Sequence, residues 1–193
     1  MDFELPAEHQ LLHQTVRDFC RREVEPVVEE HEREHRFPGG IVAMLGRMGL
    51  LGIPYSEEEG GAGLDTLAYA VAIEELSRTW GSLGLIVAAH TSLGCGPIHL
   101  AGNDEQKERY LVPMAQGRVI GAFGLTEPEA GSDSGGTKTT ARREGDDWIL
   151  DGRKRFITNA GQAGTYVVTA RTGTREGGGP AIDAFIVEAG TPG

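Results

Sequence analysis

The stretch that decides the fold spans residues 123–136 and reads FGLTEPEAGSDSGG. Its apolar, strand-like beginning ends at Thr126, and Pro128 with the glycines that follow then requires the backbone to turn. Residues 132–134 supply two hydroxyls and a carboxylate within that turn. Small and polar residues placed where a strand ends are available to a bound ligand. The stretch therefore predicts a ligand-binding sheet edge, with a plain strand and turn as the alternative interpretation.

A second stretch, RFITNAG at residues 155–161, has the same plan and ends a β-like run at Thr158. A Leu-Asp-Gly-Arg turn signal precedes it and predicts a hairpin in which residues 148–151 pair with residues 154–158. Two strand edges that end in hydroxyls within one small sheet can face one planar polar ligand. The second stretch thus favours the ligand-binding interpretation of the first.

The chain before these stretches is helical in pattern. From residue 6 to residue 34 apolar residues recur at spacings of three and four, which is typical of a one-faced helix, and Pro26 is expected to bend it. Residues 83–100 are apolar on nearly every side, which indicates a buried helix. The other predicted helices cover residues 41–50, 65–77 with Asp65 as N-cap, and 103–115 with Asn103 as N-cap.

After Gly117 the sequence changes to short β-rich runs separated by Gly, Asp and Asn turns. A run of helices followed by a run of strands indicates an α+β protein with two domains. We place a helical domain at residues 1–117 and a β-sheet or barrel domain at residues 118–193, truncated because the chain stops directly after a strand. The predicted strands are residues 119–126, 137–144, 148–151, 155–158, 166–171 and 184–188.

Composition limits the class of protein. The 193 residues are 39% hydrophobic and 24% charged, as in folded globular proteins, and a net charge of −11 argues against a nucleic-acid or membrane-surface partner. Cys20 and Cys95 lie outside any metal-binding spacing and are expected to be buried free thiols. The N-terminus shows no export or organelle address, and no run approaches about 18 apolar residues. We therefore expect a cytoplasmic protein.

The remaining candidate sites favour structural interpretations. The glycines of residues 60–63 form neither a GxGxxG nor a GxxxxGK[ST] pattern, which favours a tight turn. His90 and His99 have no second ligand at suitable spacing, so we predict hydrogen-bonded core histidines and no metal. Glu74 and Glu75 have no visible partner and are expected at the surface or at a cap.

The two stretches resemble the acyl-CoA dehydrogenase family, of the short-chain or butyryl-CoA type. The first signature of the family matches GLTEPEAGSD at residues 124–133, and its second flavin-contacting segment, aromatic-Ile-Thr-Asn, matches residues 156–159. The similarity extends along the whole chain. The resemblance implies the N-terminal and middle domains of the family, without its C-terminal four-helix bundle. Supporting stretches are residues 53–54, 60–64, 72–77 and 101–107.

The resemblance implies an FAD site built from both stretches. Thr126 would hydrogen-bond the pyrimidine edge of the flavin, and Phe156, where many members carry Trp, would cover the ring. Ser132 matches a residue near both the flavin diphosphate and the CoA moiety, which makes it a candidate substrate contact as well. The implied cofactor-binding residues are Phe123, Gly124, Leu125, Thr126, Gly131, Ser132, Phe156, Ile157 and Thr158.

The implied reaction is α,β-dehydrogenation of an acyl-CoA thioester in fatty-acid β-oxidation, by a homotetramer that passes electrons to an electron-transfer flavoprotein. In the family the α-proton is removed by a Glu of the C-terminal helical domain. No catalytic residue is therefore expected in this chain, which alone should be inactive. The alternatives are a non-catalytic subunit or fragment that binds nucleotide or acyl-CoA, and a flavin oxidase of the same fold.

Overall fold

The computed structural model describes residues 4–193. Contacts within the chain divide it into two compact units, Met1–Val119 and Ile120–Gly193. The first unit is helical and the second contains the strands. This order confirms the predicted α+β class.

The helices of the first unit are interrupted by short π and 3-10 turns. The predicted bend at Pro26 is confirmed, because Pro26 lies in a 3-10 turn at Glu25–Val27 that separates α1 from α2. The π turns lie at Cys20–Val24, Ala89–Cys95 and Lys107–Leu111. The helices are α1 (Ala7–Phe19), α2 (Val28–Glu34), α3 (Gly39–Arg47), α4 (Thr66–Thr79), α5 (Gly81–Ala88), α6 (Gly96–Ala101), α7 (Asp104–Gln106) and α8 (Val112–Ala115).

Both predicted N-caps are confirmed. The Asp65 carboxylate accepts a hydrogen bond of 2.8 Å from the main-chain N–H of Ala68 at the start of α4. Asn103 and Gln106 form a capping box at α7, in which each side chain accepts from the main-chain N–H of the other residue. These bonds satisfy N–H groups that have no partner within their own helix.

The core of the helical unit forms where α1 packs on α4 and α4 packs on α5. By length and composition, Gly81–Ala101 could cross a membrane, but 56% of its apolar window is buried inside the structure. It therefore fits the predicted buried helix. The largest fully buried apolar side chains of the unit are Val16, Val24, Leu45, Leu51, Ile53, Leu76, Leu83, Val87, Leu111 and Met114.

The second unit contains a mixed sheet centred on β4. β1 runs parallel to the first part of β4, β2 pairs in parallel with β4 at Thr140 and Arg171, and β5 runs antiparallel along β4. β3 forms the outer strand beyond β2. The strands are β1 (Gly121–Gly124), β2 (Thr140–Glu144), β3 (Asp147–Asp151), β4 (Thr165–Thr174) and β5 (Pro180–Glu188).

The hairpin predicted between residues 148–151 and residues 154–158 is wrong. β3 pairs instead with β2, through a turn in which Gly145 has a φ of 64°. Residues 155–158 form no strand, and Phe156 has a φ of 55°, which no extended strand allows. The earlier of two locally similar glycine turns therefore makes the hairpin.

Candidate functional site

The two sequence stretches meet within the β-unit. The main-chain N–H of Arg155 donates a hydrogen bond of 2.8 Å to the carbonyl oxygen of Thr126. The Lys154 ammonium donates one of 3.1 Å to the carbonyl oxygen of Leu125. Phe123 and Gly124 lie in β1, opposite Val167 and Val168 of β4, so the first stretch meets Arg155 just after it leaves the sheet.

The second stretch is held by its own turn. Asn159, with a φ of 69°, accepts hydrogen bonds at its carbonyl oxygen from the N–H groups of Gln162 and Ala163. Its side-chain amide donates to the carbonyl oxygen of Gly121, at 3.2 Å. These bonds tie the end of the stretch back to the start of β1.

Phe156 has an unusual conformation at this edge. Its side chain is 83% exposed, its φ is positive, and the Arg155 guanidinium lies 4.8 Å from the centre of its ring. A left-handed conformation costs a bulky residue about 1–2 kcal/mol, and such strain is concentrated at functional sites. An exposed aromatic ring held in a strained backbone fits a residue that covers a ligand.

The hydroxyls predicted for ligand contact are available. Thr126 and Thr158 are both half-buried, and neither hydroxyl makes a hydrogen bond to any of residues 4–193. A half-buried hydroxyl without a protein partner is available to a polar ligand. This observation fits a planar group with hydrogen-bonding edges, such as a flavin ring.

Gly131 and Ser132 lie apart from this pairing. A turn closed by a 2.8 Å hydrogen bond from the Glu127 N–H to the Ala130 carbonyl oxygen precedes them, and both are exposed. Within the described part of the chain they make no hydrogen bond to residues 155–158. The structure thus brings together residues 123–126 with residues 155–158, and leaves this loop beside them.

A buried ion pair connects the first stretch to the residue that precedes the second, and the sequence analysis did not predict it. Lys154 Nζ lies 2.7 Å from Glu127 Oε1, and the Glu127 side chain is 1% exposed. Burial raises the pKa of Glu127, but hydrogen bonds from Lys154, Thr137 and Thr139 outweigh it and hold that pKa well below its usual range. The available signal was one charge of each sign, with Glu127 inside the first stretch and Lys154 directly before the second.

The expectation for Glu75 is wrong. Glu75 is 1% exposed, and its carboxylate accepts hydrogen bonds of 3.0 and 2.9 Å from Arg17 and one of 3.1 Å from Arg78, with His13 Nε2 at 2.9 Å. The bonds from Arg17 lower its pKa to about 2, although burial opposes them. This cluster links α1 to α4, and Glu74 alone is exposed as expected.

The histidines of the apolar helix have different environments. His90 is a hydrogen-bonded core histidine as predicted, with Nε2 at 3.2 Å from the Met114 carbonyl oxygen, and burial lowers its pKa to about 4. His99 is not a core residue, because it is half-buried and bonds Glu59 at 2.8 Å. Cys20 and Cys95 are buried free thiols, as expected.

The glycine-rich stretch at residues 60–63 is a turn, as predicted. Gly60 and Gly63 have φ values of 82° and 65°, and a Cβ on Gly61 would meet the carbonyl carbon of Tyr55 at 2.6 Å. A Cβ therefore does not fit at Gly61, and the positive φ values favour glycine at positions 60 and 63.

Comparison with known proteins agrees with this geometry. Residues 6–118 match the N-terminal domain of acyl-CoA dehydrogenases, and residues 122–193 match their middle domain. The chain therefore belongs to the acyl-CoA dehydrogenase family.

Individual relatives agree with the family assignment. The short-chain specific acyl-CoA dehydrogenase of Clostridium acetobutylicum is 49% identical over 193 residues, which are 100% of this chain and 51% of that protein. Butyryl-CoA dehydrogenase from Megasphaera elsdenii has a TM-score of 0.92 and 38% identity, over 100% of this chain and 51% of that chain. An acyl-CoA dehydrogenase from Bacillus anthracis, solved with FAD, has a TM-score of 0.89 and 38% identity, over 97% of this chain and 32% of that chain. The chain spans about half the length of the curated relatives it matches.

Proposed function

We propose that this chain supplies part of the FAD and acyl-CoA sites of a flavin-dependent acyl-CoA dehydrogenase. The observation that carries the proposal is the 2.8 Å hydrogen bond between Arg155 N and Thr126 O, which joins two stretches with free threonine hydroxyls. The domains proposed for this role are residues 1–117 and residues 118–193.

Each predicted site residue has a role in this proposal. The Thr126 hydroxyl and the edge formed by Phe123, Gly124 and Leu125 bind the pyrimidine side of the ring. Ile157 and Thr158 contact the ring beside the Phe156 cover, which excludes water. Gly131 and Ser132 bind the flavin diphosphate, and Ser132 also contacts CoA.

FAD, when bound, supplies the acceptor for a hydride from the β-carbon of the thioester. Hydrogen-bond donors fixed at the pyrimidine edge stabilise the negative charge that such an acceptor gains. Removal of the α-proton needs a carboxylate on the opposite face of the acyl chain. Glu127 and Glu75 are both held by cations, so neither is assigned this role. The base is proposed to come from outside this chain, which alone is then inactive.

Membership of the family supports a proposal for the substrate class and the partners. The relative from Megasphaera elsdenii is a butyryl-CoA dehydrogenase, which favours a short acyl chain. We propose an electron-transfer flavoprotein as electron acceptor, a homotetramer as the working assembly and the cytoplasm as its location.

A visible spectrum of the full-length protein tests the proposal. We expect a yellow protein that loses its absorbance near 450 nm (on the order of one flavin per chain) when butyryl-CoA is added without oxygen. A colourless protein that ignores every acyl-CoA would contradict the proposal. A yellow protein that no thioester bleaches indicates a subunit without the base, and rapid consumption of oxygen by the reduced protein indicates an oxidase.

A further inference from the structure

The Glu127–Lys154 pair is almost completely removed from water. The Glu127 side chain is 1% exposed and the Lys154 side chain 11%. Taking two charges out of water costs several kcal/mol per ion, and only good geometry with further hydrogen bonds offsets that cost. The hydrogen bonds around each group therefore show whether the cost of burial is offset.

Lys154 contacts both the first stretch and β4. Besides Glu127, its ammonium donates to the Leu125 carbonyl oxygen at 3.1 Å, to Thr137 Oγ1 at 3.2 Å and to Thr169 Oγ1 at 3.2 Å. Since a Lys ammonium has three N–H donors, these acceptors leave none of them unused. The side chain thus fastens the backbone beside Thr126 to β4.

Glu127 is equally well satisfied. Its carboxylate accepts hydrogen bonds from the Thr137 hydroxyl and from the main-chain N–H groups of Lys138 and Thr139, besides the one from Lys154. The loop between Glu127 and Thr139 is therefore closed onto the same buried charge. That loop carries Gly131 and Ser132.

We propose that Glu127 and Lys154 are positioning residues, which fix the flavin-binding edge and, as a pair, add no net charge beside the flavin. This inference rests on the proposed function, because it needs a flavin at Thr126. Lys154 Nζ lies 3.1 Å from the carbonyl oxygen of Leu125, the neighbour of Thr126. A buried charge is poorly screened by salt, whose Debye length in water is about 8 Å, so an unpaired charge beside Thr126 would act on the flavin proposed to bind there.

The proposal makes a signed prediction about the reduction potential of the flavin. Two-electron reduction adds negative charge to the ring, so an unpaired positive charge nearby favours it and an unpaired negative charge opposes it. Glu127→Gln leaves the Lys154 cation unpaired. Lys154→Met leaves the Glu127 carboxylate unpaired, and its hydrogen bonds from Thr137, Lys138 and Thr139 keep it ionised at pH 8.

Spectroelectrochemical titration of the flavin-loaded full-length protein at pH 8 tests this prediction. Glu127→Gln is expected to raise the potential and Lys154→Met to lower it, each by at least tenfold in the equilibrium constant for two-electron reduction, or about 30 mV. The double variant again has no net charge at these two positions, and its potential is expected to return to within threefold of wild type. Lys138→Met, which removes an exposed cation from the same loop, is the matched control and should leave the potential unchanged.

A purely structural role would shift both single variants in the same direction or in neither, and either result overturns the proposal. If a single variant does not load flavin, Lys154→Arg and the double variant decide the question. Both leave positions 127 and 154 without net charge, so a wild-type potential in them supports the proposal and a tenfold change contradicts it. A wild-type protein that binds no FAD would instead contradict the proposed function.

Discussion

The main-chain N–H of Arg155 lies 2.8 Å from the carbonyl oxygen of Thr126, and this hydrogen bond joins the two stretches that carry the family signatures. Both partners are backbone atoms, so the bond depends on the path of the chain and tolerates side-chain changes. The chain reaches Arg155 from the end of β3 by way of Gly152. The close approach of Gly152 to Thr139, which directly precedes β2, is therefore a condition of the site.

Gly152→Ala is expected to destabilise the β-unit. A Cβ at position 152 would lie 2.7 Å from Thr139 Cα, and backbone cannot move aside as a flexible side chain can. Overpacking of this kind costs typically about 1–3 kcal/mol. Hydrogen exchange of the amides of β1 and β4 measures the loss. Gly173→Ala is the control, because nothing lies within 4 Å of its added Cβ, and protection in that variant should stay at the wild-type level.

Phe156→Asn is expected to separate stability from ligand binding. Asn tolerates a positive φ better than Phe does, and Phe156 is 83% exposed, so little buried surface is lost. We expect the flavin-free chain to gain about 0.5–1 kcal/mol, measured by hydrogen exchange, while FAD affinity falls. Phe156→Leu keeps the strain, so it should weaken FAD binding without adding stability. A gain of the same size in both variants would argue against strain at this position.

Glu75→Gln is expected to destabilise the helical unit by about 2–3 kcal/mol at neutral pH, because it leaves Arg17 without its charged acceptor. Its exposed neighbour gives the matched control, Glu74→Gln, which should stay within about 0.5 kcal/mol of wild type. Urea unfolding can follow Trp80 fluorescence in a Trp148→Phe background, since the chain has two Trp residues.

The same variant has a pH signature. The pKa of Glu75 is lowered from 4.5 to about 2 in the folded chain, so its stabilising contribution is complete above pH 4.5. That contribution is lost as the pH falls from 4.5 towards 2. The difference in unfolding free energy between wild type and Glu75→Gln should therefore shrink in that window. A difference that is constant from pH 7 to pH 2 would show that the charge of Glu75 has no part in it.

The buried His90 is expected to cause a second loss of stability in acid, at higher pH than the loss caused by Glu75. Burial lowers its pKa from 6.5 to about 4, so the folded unit holds the neutral imidazole. The resulting stability is complete above pH 6.5 and falls as the pH drops towards 4, by up to about 3 kcal/mol. His90→Gln, which retains a donor for the Met114 carbonyl oxygen, is expected to flatten this part of the stability profile. The exposed His35 provides the control, and His35→Gln should keep the wild-type slope.

Local signals in the sequence predicted much of the fold. Asp65 and Asn103 were identifiable as caps because their partners lie three residues away, and Pro26 marked its own 3-10 turn. The hairpin was misplaced because Gly145 and Gly152 give similar turn signals. Only the register of β2 against β3 decides between them.

The sequence by itself determined the helical and β-rich halves, the caps and the family signatures, since each of these is a pattern within a short stretch of chain. Tertiary structure alone decided which charges are buried. Glu75 and Arg17 are 58 positions apart, and Glu127 and Lys154 are 27 positions apart. A charge far along the chain gives no local sign that it will lose its water, because desolvation and pairing depend on distances that only the folded chain sets.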